Sequence, residues 1–283
     1  MIKLCAFSDE AASSFSGQIS ALKQNGIFLT ELRSVDGKNV SSFTPSQAKE
    51  YARVLKEEGI GVWAIGSPLG KADIACDFEK YLDTVKKVCE IADIFGTDKI
   101  RAFSFYNAQN ERERVFGYMQ RMAETAASFG VTLYHENEKE IYGDTLSRVL
   151  DIAENVKGWK FVYDPANFIQ VGERAEDTIN ALMDKTDYFH IKDVCRKTGE
   201  LVPAGYGDGK IDVIIDKINK DTVFTVEPHL AVFEAYKSID GTEMKHKFRF
   251  SDNLSAFGAA VAAIKNLLES KGFAFENGEY FKG

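Results

Sequence analysis

Short apolar, β-prone runs recur along the chain. They fall at 2–7 (IKLCAF), 27–33 (IFLTELR), 60–65 (IGVWAI), 99–105 (KIRAFSF), 131–136 (VTLYHE), 159–164 (WKFVYD), 187–192 (DYFHIK) and 222–227 (TVFTVE). Between them, apolar residues recur at helical spacing over 15–25, 45–58, 77–95, 111–129, 144–156, 174–185, 211–219 and 252–270. Thr44-Pro45 reads as an N-cap followed by a first-turn proline. Gly59, Gly96, Gly130 and Gly158 stand where helices must stop before the next run. Eight strands alternating with eight helices predict a parallel sheet closed into a (β/α)8 TIM barrel. A doubly wound open sheet is the alternative, and the lack of a glycine-rich fingerprint after the first run argues against it. The expectation is one domain over 1–283, with 229–251 as an inserted loop.

Side chains alternate across a strand, so the later runs divide into two faces. One face carries Val131, Leu133, Phe161, Tyr163, Phe189, Ile191, Phe224 and Val226, as a surface under a ring of helices requires. The other carries Tyr134 and Glu136, Val162 and Asp164, Tyr188, His190 and Lys192, then Thr225 and Glu227. Glu136, Asp164, His190 and Glu227 therefore point inward at the C-terminal ends of their strands, where barrel enzymes place their chemistry. Inward charges at a barrel mouth are costly unless paired or bound to a cation. Three carboxylates and an imidazole suit Mn²⁺ or Mg²⁺ first, with Zn²⁺ also compatible. The bland alternative is a set of ordinary salt bridges.

Composition narrows the field. The 283 residues are 45% hydrophobic and carry a formal charge of −8. An acidic chain is repelled by a phosphate backbone, so nucleic acid is a poor default partner. No segment approaches the ~20 apolar residues that span a bilayer. Cys5, Cys76, Cys89 and Cys195 are scattered without a CxxC pair, which fits free thiols and a cytoplasmic location.

The strand-end segments HENE, YDPAN, HIKD and VEPH, in that order on strands five to eight, resemble the xylose isomerase-like barrel superfamily. They are most similar to its sugar phosphate isomerase/epimerase families. The resemblance implies one divalent metal held by Glu136, Asp164, His190 and Glu227. It implies a small sugar or polyol substrate, with Glu136 and Glu227 moving a proton. It also places a substrate-binding arginine at Arg196, as in the ketose 3-epimerase branch. That branch carries a histidine where this chain has Asn167, and a second glutamate where it has Tyr142.

Softer candidates for substrate contact are Lys192, His229 and Trp63, the last of which also suits a plain core aromatic. Asn137 is expected to support the site and His135 to be hydrogen-bonded behind it, with Glu138 in a solvated loop. Glu31 and Arg33 end strand two and are expected to pair with each other. The loop PAGYGDG, 203–209, has the look of a phosphate cradle, but Asp208 argues for a tight turn. The leading expectation is metal-dependent isomerisation or epimerisation of an unphosphorylated sugar or sugar derivative through an enediolate. A related lyase or dehydratase is the first alternative, and a non-catalytic sugar-binding barrel the second. An endonuclease IV-like nuclease needs more histidines than the four present. A homo-oligomer is left open.

Overall fold

The computed structural model describes residues 1–230, 248–276 and 278–283. Most of the expected inserted loop, including His246, lies outside these. Eight parallel strands form the barrel: β1 (Ile2–Ala6), β2 (Leu29–Leu32), β3 (Gly61–Gly66), β4 (Lys99–Ala102), β5 (Thr132–Glu136), β6 (Trp159–Tyr163), β7 (Tyr188–Ile191) and β8 (Thr222–Val226). Each pairs with its sequence neighbours, and β8 closes the ring on β1 from Ile2↔Thr222 to Ala6↔Val226. The fold is the (β/α)8 barrel that the alternation predicts.

Helices α1 (Phe15–Gln24), α2 (Pro45–Glu57), α3 (Phe78–Ile94), α4 (Arg112–Ala127) and α5 (Leu146–Asn155) follow the first five strands. α6 (Pro165–Gln170) and α7 (Ala175–Leu182) follow β6, and α8 (Ile211–Lys217) and α9 (Asn253–Ser270) follow β7 and β8. Thr44 caps α2 in a full capping box with Gln47, as the Thr-Pro pair indicates. The turns into β3 and β4 pass through Gly59 at φ +72° and Gly96 at φ +70°, a region that disfavours side chains.

Three features exceed the sequence expectation. α6 begins directly at the end of β6, because Asp164 is its N-cap and Pro165 its first residue. A short β-bridge pair, Asp193–Val194 with Leu201–Val202, folds the segment after β7 back on itself. After α9 a hairpin, β9 (Phe273–Glu276) and β10 (Glu279–Lys282), adds an antiparallel strand beside β1, with Ile2↔Tyr280.

The two faces pack as strand alternation demands. Val131, Leu133, Tyr163, Phe189, Ile191, Phe224 and Val226 lie in the large apolar layer between strands and helices. Cys5, Tyr134, Val162, Tyr188 and Val223 form a separate cluster inside the barrel. Tyr188 stands edge-on to Trp63 and Tyr134, at centroid distances of 5.9 and 5.5 Å. This plug fills the lower barrel, so polar groups above it are cut off from solvent below. The four cysteines are free thiols. Among the described residues no helix is long and apolar enough to cross a membrane.

Candidate metal centre

Above the aromatic plug, β5 to β8 bring Glu136, Asp164, His190 and Glu227 together. One ligand atom from each lies within 4.8 Å of all the others, and all four side chains are buried. Opposite ligands on an octahedral ion at about 2.1 Å stand about 4.2 Å apart, so shifts of a few tenths of an ångström would close the set.

Asp164 shows how local sequence builds the site. Its Oδ1 accepts the amide of Asn167 at 3.0 Å, as a helix cap does. That bond turns Oδ2 toward the barrel axis. The Asn137 side chain clamps the Asp164 backbone on both sides, donating to its carbonyl at 2.8 Å and accepting from its amide at 2.9 Å. The Asn167 side chain reaches back to Glu136 Oε1 at 3.3 Å. Two asparagines thus fix the ends of β5 and β6 against each other.

Cations surround the carboxylates. Lys192 Nζ stands 2.7 Å from Asp164 Oδ2 and 3.9 Å from Glu227 Oε2. Arg101 Nε is 3.2 Å from Glu136, and Arg33 Nη1 is 3.1 Å from Glu227. Yet Asp164 Oδ2, His190 Nδ1 and Glu227 Oε2 are buried and make no hydrogen bond of regular geometry, although Lys192 Nζ lies 2.7 Å from the first and the other two lie 3.0 Å apart. Buried polar atoms are seldom left so. Three orphaned donors from three neighbouring strands, converging beside Glu136, fit a divalent cation better than a finished salt-bridge network. Mixed oxygen and nitrogen donors suit Mn²⁺, Mg²⁺ or Zn²⁺.

The electrostatics follow from burial and these neighbours. Burial opposes the charge on Glu136, but His190 and Arg101 outweigh it and hold its carboxyl down to about 2. Burial likewise opposes Glu227, while Lys192 and His190 hold it well below the usual range. Asp164 goes the other way: burial, with Glu136 and Glu227 close by, pushes it up to about 7 despite Lys192. His190 resists burial and is raised well above 6.5 by Glu136 and Glu31. Both shifts favour the protonated forms, so protons compete with a cation for Asp164 and His190. A cation must displace these protons. Zn²⁺ affinity is accordingly expected to fall as pH drops, with protons released on binding. Calorimetry in buffers of different ionisation enthalpy counts them, and zero release would contradict this competition.

The remaining candidates divide. Lys192 is buried as the partner of Asp164, and burial fails to lower its pKa because that carboxylate raises it. His229 sits at the rim with φ +45°, its Nε2 3.4 Å from Glu10 and its Nδ1 3.9 Å from Glu227. Glu10, Glu227 and His229 form a second acidic group, but the Arg33 guanidinium already bridges the two carboxylates. Trp63 is partly buried and packs as the plain core aromatic that was its other reading. It lies three residues below the end of β3, inside the aromatic plug. Arg196 is exposed, and its guanidinium donates to the Gly172 carbonyl at 2.6 Å, so in this structure it does not reach the cluster. His135 bonds Ser104 Oγ at 3.0 Å behind β5, and burial lowers its pKa to about 4, as expected of a neutral supporting histidine. Glu31 and Arg33 do not pair with each other. Arg33 binds Asp9, Glu10 and Glu227, while Glu31 turns inward to His190, Tyr188 and Thr225. Arg101 on β4 also turns inward, to Glu31 and Glu136.

The glycine loop has an unexpected occupant. The amides of Gly205, Gly207 and Gly209, with that of Val194, all donate to the Asp193 carboxylate at 2.9–3.0 Å. The loop is an anion nest, filled from within the chain. A Cβ on Gly207 would lie 2.3 Å from Asp193 Oδ1. Gly207→Ala is expected to cost about 2–3 kcal/mol of stability, read from the urea midpoint. An unshifted midpoint would contradict the tight packing of this nest.

A cavity of about 220 Å³ opens over the cluster, walled by Arg33, Lys71, Arg101, Phe103, Glu138 and His229 among others. Lys71 pairs with Glu138 at 3.0 Å across it. A larger cleft between α2 and α3, about 460 Å³, lies by the start of β3 and holds no such convergent set.

Residues 19–253 match the xylose isomerase-like TIM barrel family. The chain belongs to that family. A comparison with curated proteins finds no match. Among solved structures, this family member is similar to the probable 3-DHS dehydratase AsbF of Bacillus anthracis. The identity is 18%, over 94% of this chain and 99% of that one, with a TM-score of 0.70. It is similar to the IolI protein solved with a zinc atom, at 15% identity over 95% and 98%, TM-score 0.72. It is also similar to an L-ribulose 3-epimerase, at 18% identity over 95% of each chain, TM-score 0.68. At these identities the likeness establishes the fold.

Proposed function

We propose that this protein is a metal-dependent isomerase or epimerase acting on a small sugar or sugar derivative. The observation that carries the reading is the convergence of three orphaned buried donors beside Glu136, at the C-terminal mouth of the barrel and under a small cavity. The zinc-bearing IolI protein and the epimerase among the similar structures support it.

Glu136, Asp164, His190 and Glu227 would hold the ion, which when bound polarises a substrate carbonyl and acidifies the adjacent C–H. Glu136 on β5 and Glu227 at the end of β8 both approach His190 Nδ1, at 3.1 and 3.0 Å, so both carboxylates would lie beside a ligand bound at the ion. Both are ionised at neutral pH and able to accept a proton. Their low basicity costs driving force, so each acts best once the C–H is acidified. Lys192 keeps its charge against Asp164 and serves as a fixed cation near developing negative charge, not as a base. The aromatic plug below excludes water from that side.

The substrate is proposed to be unphosphorylated. The glycine nest is occupied by Asp193, and Arg33, Lys71 and Arg101 around the cavity each already face a carboxylate. Matched free and phosphorylated ketoses, compared at equal concentration, test this. Faster turnover of the phosphorylated member would reverse it.

A dehydratase is the second reading, favoured by one observation. Tyr142 bonds Asp151 and Asn167 bonds the strand ends, so the two positions that mark the 3-epimerase branch serve the scaffold here. Dehydration of a β-hydroxy ketone starts with the same proton abstraction. Product NMR on a ketose panel with Mn²⁺ separates them: an epimer or aldose supports the first reading, and loss of water the second.

A further inference from the structure

We infer that Glu31 is a positioning residue: it fixes the ring of His190 with hydrogen on Nε2, leaving Nδ1 as a lone-pair donor aimed at the metal position. The inference rests on the metal reading above. Glu31 lies at the end of β2, is 1% exposed, and sits one layer below the four candidate ligands. Its Oε2 is 3.0 Å from His190 Nε2 and accepts the Thr225 hydroxyl at 3.0 Å. Its Oε1 accepts the Tyr188 hydroxyl at 3.1 Å and stands 3.6 Å from Arg101 Nε. A carboxylate offers only acceptors, so the hydrogen between Glu31 and the imidazole belongs to Nε2. The opposite nitrogen, Nδ1, faces Glu136 and Glu227 and has no hydrogen bond.

Burying a carboxylate this deeply costs several kcal/mol unless its oxygens are paired. Here the pairing is organised around one ring. Tyr188 and Thr225 flank His190, on its own strand and the next, and hold Glu31 from either side. Phe7 closes edge-on to the imidazole at 5.1 Å. The ring therefore has little freedom to flip and present Nε2 instead. A partner of this kind orients a ligating histidine and raises its donor strength.

The test uses the full chain with Co²⁺ or Zn²⁺ alone, titrated against a chromophoric chelator. Glu31→Gln is expected to weaken metal binding about 10- to 100-fold, with Glu31→Asp recovering part of the loss. Because Glu31→Gln alters a buried layer, the wild type supplies a second readout. Histidine-labelled ¹⁵N spectra of the Zn²⁺-loaded protein should show His190 with a protonated Nε2 and an unprotonated Nδ1. Hydrogen on Nδ1 with metal on Nε2 would overturn the inference, as would Glu31→Gln binding as tightly as wild type. In either case the metal reading survives. Wild type that binds neither ion overturns both.

Discussion

Asp164→Ala is expected to lower bound divalent metal from one ion per chain to none after gel filtration. The substitution removes a ligand from a four-ligand set, and it leaves the Lys192 ammonium buried beside the site without its carboxylate. That cation, left with only Glu227 Oε2 at 3.9 Å, both repels an incoming metal and costs stability, up to about 3–5 kcal/mol. The loss of the α6 cap adds about 1 kcal/mol. Asp164→Asn is the companion variant, since it keeps volume and cap while losing the negative charge. It should keep α6 capped and bind metal weakly or not at all, which separates the loss of charge from the loss of the cap. Elemental analysis of both variants beside wild type gives the answer. A full complement of metal in Asp164→Ala would show that the ion is held without Asp164 and would sink the proposed four-ligand set.

The second large effect separates two glutamates two residues apart. Glu136→Gln is expected to reduce turnover about 10²- to 10⁴-fold, the usual cost of removing a general base. Glu138→Gln should stay within about tenfold of wild type, since Glu138 only pairs with Lys71 on the cavity wall. Alternation points both side chains inward, but Glu136 ends β5 and Glu138 lies beyond it. Initial rates on whichever ketose turns over decide the matter. Equal losses in the two variants would mean that Glu136 has no special role.

Much of this architecture was legible in the chain itself, because the barrel is built on two simple periods. Alternating strand and helix segments led to eight β/α units, and strand alternation placed Glu136, Asp164, His190 and Glu227 on one inner face. Both readings survive because β5 to β8 are regular. Strand two is harder. Its pairing with β3 shifts register between Thr30 and Glu31, and pairing the two terminal charges with each other ignored partners far along the chain. Arg33 meets Asp9, Glu10 and Glu227, and Glu31 meets His190, contacts that only closure of the ring creates. Arg196 was drawn from a motif spacing, and spacing alone does not show that its guanidinium donates to the Gly172 carbonyl in this structure. Two missed elements did carry local signals. Asp164-Pro165 reads as a cap and first helical residue, hence α6, and Asn-Gly in ENGEY is a hairpin signal after α9.

The most direct test of the account is proton exchange. Metal-loaded protein is incubated with a panel of free ketoses in D₂O, and recovered substrate and product are read by mass spectrometry and NMR. The account predicts deuterium at the carbon next to the carbonyl for at least one ketose. That exchange should vanish on chelation and in Glu136→Gln. Stoichiometric metal binding with no deuterium in any substrate, while the same ketoses bind, would contradict it and make this barrel a sugar-binding protein.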